Sequence, residues 1–183
     1  MKNSTILVLL LVCFSFVNAQ ENQETEKCPH AKKIRSLCMY IGSQAKDNEM
    51  NSERYVWGYQ RRIFEAACVD IHKDNEEEIA RKVSEVWNAN EHLLECSSPQ
   101  FDISKGNILK YAVGMKFEAF LIDAAYWGVN LNKIDAADNA TVMDYIAMQL
   151  ERNKGLPTEP LLKRYYDMFK RFGAKHRVEL VNE

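Results

Sequence analysis

Apolar positions recur at three- and four-residue steps along most of this chain, a period that predicts helices nearly throughout. The exception comes first. Residues 6–17 form an apolar region behind Lys2, and Val17-Asn18-Ala19 offers a cleavage site, which predicts a signal peptide over 1–19 and a mature start at Gln20. A run of this length falls short of the roughly 20 residues that cross a bilayer, so no membrane span is expected after cleavage. The polar stretch 20–27 is expected to be a disordered lead-in.

Beyond it, Ile34, Leu37, Cys38 and Ile41 share one face of a helix over 31–41, with Gly42 as its stop. Tyr55, Val56, Tyr59, Ile63, Ala66 and Ala67 form the stripe of a second helix. It is capped by Asn51 or Ser52, interrupted by Gly58, and runs to about Ile71. A third starts at Asp74, which makes a capping box with Glu77, and buries Ile79, Val83, Val86, Trp87, Asn90 and Leu94. Short loops between them imply an up, down and up arrangement over 20–100.

From Asn107 the helices shorten. Residues 107–113 open one and 117–126 a second, which buries Phe117, Phe120, Leu121 and Ala124, with Gly114 between the two. Gly128 stands where a left-handed C-cap is needed, because a side chain there costs energy that glycine does not incur. Residues 129–132 read as extended, and 135–139 as a turn of residues that bond their own backbone. Thr141-Val142-Met143-Asp144 then repeats Asn107-Ile108-Leu109-Lys110 at a separation of 34 residues, and an outer helix over 161–172 closes on Gly173.

This stretch resembles the ankyrin repeat. Thr141-Val142-Met143-Asp144 stands where that family has Thr-Pro-Leu-His, and Gly128-Val129-Asn130-Leu131-Asn132 where it has Gly-Ala-Asp-Val-Asn. The likeness covers 101–176 and leaves 177–183 as a tail. The Pro and His of the tetrapeptide are missing from both copies, the second copy carries an insertion over 151–160, and two copies are fewer than the three or so that bury a continuous core. The resemblance implies an all-α protein in which an N-terminal disulfide-linked three-helix bundle packs on two helix-pair repeats and replaces the missing neighbours. It also implies binding to another protein through a surface that includes Lys133, Asp135, Asp138 and Asn139. On that reading, charge reversal at Asp135 and Asp138 removes binding and barely moves the melting temperature. The closing pattern looks like small exported bacterial ankyrin-like proteins, some of which neutralise toxins, so an immunity or inhibitor role is the sharper expectation.

Charge narrows the partners. Of 24 basic and 26 acidic side chains only Lys2 lies in the leader, which leaves a formal balance of −3 and no basic footprint for nucleic acid. A secreted or periplasmic location changes what the cysteines mean. Cys28, Cys38, Cys68 and Cys96 remain after cleavage, an even number in an oxidising compartment. At about 1.5 Å per helical residue, Cys28 lies level with Cys68 and Cys38 with Cys96, so those two disulfides are expected. Neither paired spacing used for zinc is present, so no metal is expected.

No reactive constellation stands out. His30, His72, His92 and His176 are far apart, and His-Glu-x-x-His, Gly-x-Ser-x-Gly and phosphate-binding glycine loops are absent from the sequence. Neither a catalytic activity nor a cofactor is expected. Two other readings compete with a binding module: a structural or envelope-stress protein, and a hydrolase whose His and carboxylate groups converge from distant segments. Trp57, Trp87, Trp127, Tyr165, Tyr166, Phe169 and Phe172 each sit on a plausible buried helical face.

Overall fold

The computed structural model describes residues 28–43, 51–96 and 106–181. The leader over 1–19, the lead-in over 20–27 and the expected repeat start at Phe101 lie outside the described residues. A 3₁₀ turn, Ala31–Arg35, leads into α1 (Ser36–Ser43), followed by α2 (Glu53–Ala66) and α3 (Glu76–Ala89). A second 3₁₀ turn, Glu91–Leu93, precedes β1 (Glu95–Cys96), which pairs antiparallel with β2 (Gly106–Asn107), Cys96 opposite Gly106. Then come α4 (Ile108–Gly114), α5 (Glu118–Tyr126), α6 (Val142–Arg152), α7 (Glu159–Arg171) and a single turn, α8 (Arg177–Leu180), inside the expected tail. The described residues are therefore mainly helical, with one two-stranded sheet among them. Two residues per strand are too few to show an alternating pattern in sequence.

Pairs of helices carry the C-terminal half. α4 packs on α5 and α6 on α7, and the pairs stack, α4 against α6 and α5 against α7. On the N-terminal side, α1 and β1 meet α4 while α2 meets α5. Tyr59 is fully buried at this seam, edge-on to Phe117, Phe120 and Trp127 with centroids 5.3, 5.1 and 6.4 Å away. Its hydroxyl donates to Asp123 Oδ2 at 2.6 Å, and burial together with that bond holds the phenol far above its ordinary pKa. Asn51 does not cap α2. Its Oδ1 accepts the N–H of Ala119 at 3.1 Å and so caps α5 from across the seam, while Ser52 takes the N-cap position of α2 without a side-chain bond.

Two disulfides brace the N-terminal half, Cys28 to Cys68 and Cys38 to Cys96, with Cα atoms 5.7 and 5.2 Å apart. These are the pairings that helix lengths lead one to expect. Each closes a long loop and contributes about 2 to 4 kcal/mol. Among the described residues no helix is long and apolar enough to cross a membrane.

Several helix boundaries differ from the sequence reading. Gly42 lies inside α1 and does not stop it; a Cβ there would meet the Tyr111 hydroxyl at 3.2 Å, so the glycine serves close packing. Gly58 has the same role, because a Cβ would fall 2.0 Å from the Tyr40 hydroxyl. α2 stops at Ala66, well before Ile71, since Cys68 turns left-handed at φ 51° and Val69 N–H bonds back to Phe64 C=O. α3 is capped by Asn75, whose side chain accepts from Glu78 N–H, and Asp74 instead pairs with Lys82 at 2.7 Å. It also ends at Ala89, so Leu94 is buried from beyond the second 3₁₀ turn.

Gly128 and Gly173, at φ 68° and 83°, close α5 and α7 as expected. α4 is closed by Lys116 and not Gly114: Lys116 adopts φ 58°, and Phe117 N–H returns to Ala112 C=O. A lysine in that region carries a steric cost that glycine lacks. Lys116→Gly is expected to stabilise the protein by about 0.5 to 1 kcal/mol, read as a higher urea midpoint at unchanged slope.

Candidate functional site

The excursion between the helix pairs, from Gly128 to Thr141, holds all four residues expected to face a partner. Its two ends are set by α5's glycine stop and by a full capping box on α6, where Thr141 Oγ1 accepts Asp144 N–H and the Asp144 carboxylate accepts Thr141 N–H. Between them the backbone closes on itself, Asp135 N–H to Ala140 C=O at 3.0 Å and Asn139 N–H to Asp135 C=O at 2.8 Å. Asn139 is left-handed at φ 55°, a conformation its short amide side chain tolerates.

Lys110 lies beneath this turn with no exposed side-chain surface. Its ammonium meets Asp135 Oδ2 at 2.7 Å, Asp138 Oδ1 at 2.8 Å and the Ala140 carbonyl at 2.8 Å. An ammonium has three protons, and three acceptors surround it. Asp135 Oδ2 also accepts the N–H of Asn107, the N-cap of α4, at 3.0 Å. One carboxylate thus joins the start of one helix pair to the turn that leads into the next.

This placement takes Asp135 out of the expected surface. Asp135 is only 2% exposed and faces inward, and Asp138 is turned partly toward the same lysine. Lys133 folds back onto the second 3₁₀ turn and β1, donating to the Glu91 carbonyl at 3.1 Å and pairing with Glu95 at 3.6 Å. Of the four, Asn139 alone stands at the exposed tip free of this inward pairing, beside Ala136 and Ala137, with Ile134 at the base. Charge reversal at Asp135 would put a second cation against Lys110 and unfold the turn, so it cannot report on binding alone. Lys110 was the signal to find: a lone cation among apolar residues of a short helix, with two aspartates 25 and 28 residues on.

A second polar cluster ties down α8. His176 Nδ1 contacts Asp144 Oδ1 at 2.8 Å and its Nε2 contacts the Tyr166 hydroxyl at 3.0 Å. The other Asp144 oxygen takes the N–H groups of Thr141 and Arg177 at 2.9 and 3.0 Å and the Thr141 hydroxyl at 3.0 Å. Burial works to raise the Asp144 pKa, but these hydrogen bonds outweigh it and hold the carboxyl below its usual value. An Asp–His–hydroxyl chain also occurs in hydrolases. Here the hydroxyl is a tyrosine's, and the chain joins α6, α7 and the segment entering α8.

Trp87 and Trp127 are buried as expected, as are Tyr165 and Phe169, whereas Trp57 is 59% exposed and Phe172 lies against Tyr126 on the surface. Among the described residues no group of three or more His, Cys, Asp or Glu is placed to hold a metal ion. Comparison with family models, with curated proteins and with solved structures returned no match.

Lys110→Met leaves Asp135 buried without its counter-charge and is expected to cost about 3 to 5 kcal/mol in urea unfolding. Asp138→Asn costs less, because Asp138 is partly solvated and Asp135 still balances the lysine. The Asp144 cluster gives a pH signature. A carboxyl held below its unfolded value of about 3.9 stabilises the fold above that value and loses the contribution as pH falls through the folded pKa. The gap in melting temperature between wild type and Asp144→Asn should therefore be full at pH 6 and shrink below about pH 4.

Proposed function

We propose that this chain is a secreted or periplasmic protein-binding module built on two ankyrin-like helix pairs, and that its sharper role is to neutralise a toxin as an immunity or inhibitor protein. One observation carries the reading. Asn107 and Thr141, 34 residues apart, each cap the first helix of a pair, and the chain between the pairs closes into a turn whose tip is exposed. Stacked pairs with a stiff turn suit recognition, because a preorganised surface loses little entropy on binding.

The two disulfides support export, since such bonds persist in oxidising compartments. The pinned turn supports a partner at its tip, where Ala136, Ala137 and Asn139 are exposed and the charged groups below are already paired. Small side chains at a rigid tip admit close approach by another protein's backbone.

The test uses the mature chain as bait in extract from the cells that produce it, beside an Ala136→Arg/Asn139→Arg variant. A specific protein held by the wild type and lost by the variant, with both melting within about 2 °C of each other as expected for surface changes, is the anticipated result. No captured protein, together with no protection against a toxin encoded beside the gene, would remove the reading.

A further inference from the structure

A cationic concavity lies far from that turn in sequence, between the first 3₁₀ turn, the start of α1 and the outer face of α2. It encloses about 530 Å³ and is lined by Lys33, Arg35, Ser36, Trp57, Arg61, Arg62 and Glu65. Four cations face one carboxylate, and that carboxylate, Glu65, is taken by Lys33. This excess occurs on a chain whose formal charge is −2. Arg62 is committed to the Gly58 carbonyl and to the Tyr40 ring, 4.1 Å from its centroid. Arg35 and Arg61 are exposed, and neither forms an ion pair with any described residue. Arg61 lies 5.4 Å from the Trp57 ring centroid.

An exposed tryptophan beside two exposed arginines, neither within ion-pair distance of a described carboxylate although Arg61 also acts on Glu65, has the composition of an interface hot spot, since these residues give large contact area and bidentate carboxylate recognition. We infer that this groove is a docking site for an acidic peptide segment of a protein partner, with its carboxylates on Arg35 and Arg61 and an apolar side chain on Trp57. The site rests on the protein-binding reading and locates a recognition surface that the turn does not supply. A uniform polyanion fits less well. A sulfated chain offers charge to Arg35 and Arg61 but no apolar group for the exposed Trp57 ring, whereas an acidic peptide that carries an apolar side chain meets both.

The experiment titrates the mature, oxidised protein with two fluorescein-labelled peptides, Glu-Glu-Leu-Phe-Glu-Glu and its Gln-Gln-Leu-Phe-Gln-Gln counterpart, and reads anisotropy. A sulfated heparin fragment is added as competitor. The acidic peptide should bind at least tenfold more tightly than the glutamine peptide and weaken as salt rises. Arg35→Glu and Arg61→Glu should each lower affinity at least tenfold with unchanged circular dichroism, and Trp57→Ala should do so without altering the salt dependence. Equal binding of the two peptides, undiminished binding by the arginine variants, or binding of the heparin fragment without the peptide would each overturn the proposal. Failure here is separable from failure of the module reading. A partner captured equally by wild type and by Arg35→Glu/Arg61→Glu removes the groove alone, and an empty capture leaves the titration to decide.

Discussion

A buried lysine holds this architecture in register. Moving an ammonium out of water costs several kcal/mol unless its protons and charge are met inside the protein, and Lys110 is met on three sides by groups from one six-residue turn. The turn therefore has one low-energy position relative to α4. Because Asp135 also receives the amide at the start of α4, displacing the turn would orphan a helix end and a cation together. The stacking of α6 and α7 on α4 and α5 follows from where that turn releases the chain, at the Thr141 cap.

The N-terminal half completes the apolar surface that two helix pairs leave open. Tyr59 enters among Phe117, Phe120 and Trp127, and Asn51 caps α5 from outside its own segment. These contacts are mixed in character. The rings pack edge to face, while the Tyr59 to Asp123 bond and the Asn51 cap add polar ties between the α2 side and α5. The disulfides then tie Cys28, ahead of the first 3₁₀ turn, to the turn that follows α2, and the first turn of α1 to β1, so this half is itself held covalently.

Much of this was legible in the residues. Apolar periodicity found the positions of most helices, and the glycines at 128 and 173 marked two helix ends because only their lack of a Cβ suits a left-handed turn. The same logic misplaced the others. Cys68 and Lys116 adopt that conformation without being glycine, which a residue-by-residue reading does not reveal, and Gly42 and Gly58 exist for tyrosines that arrive from elsewhere in the chain. Asp135 was hard to place for a related reason: an aspartate in a turn looks solvent-facing until its buried partner, 25 residues earlier, is set beneath it, while Asp138 stays partly exposed beside the same lysine. Long-range pairing leaves little trace in local pattern.

The order of the cysteines has its own consequence for how the molecule matures. The two bonds interlace, since Cys38 lies within the loop closed by Cys28 and Cys68, and Cys68 within that closed by Cys38 and Cys96. In an unstructured chain Cys28 would meet Cys38, ten residues away, more readily than Cys68, at a separation of 40, by about 1.2 kcal/mol of closure entropy. Correct oxidation thus requires the first helical segments to be docked on α2 before the thiols react, and an oxidant faster than that docking would trap the nearest-neighbour bridge.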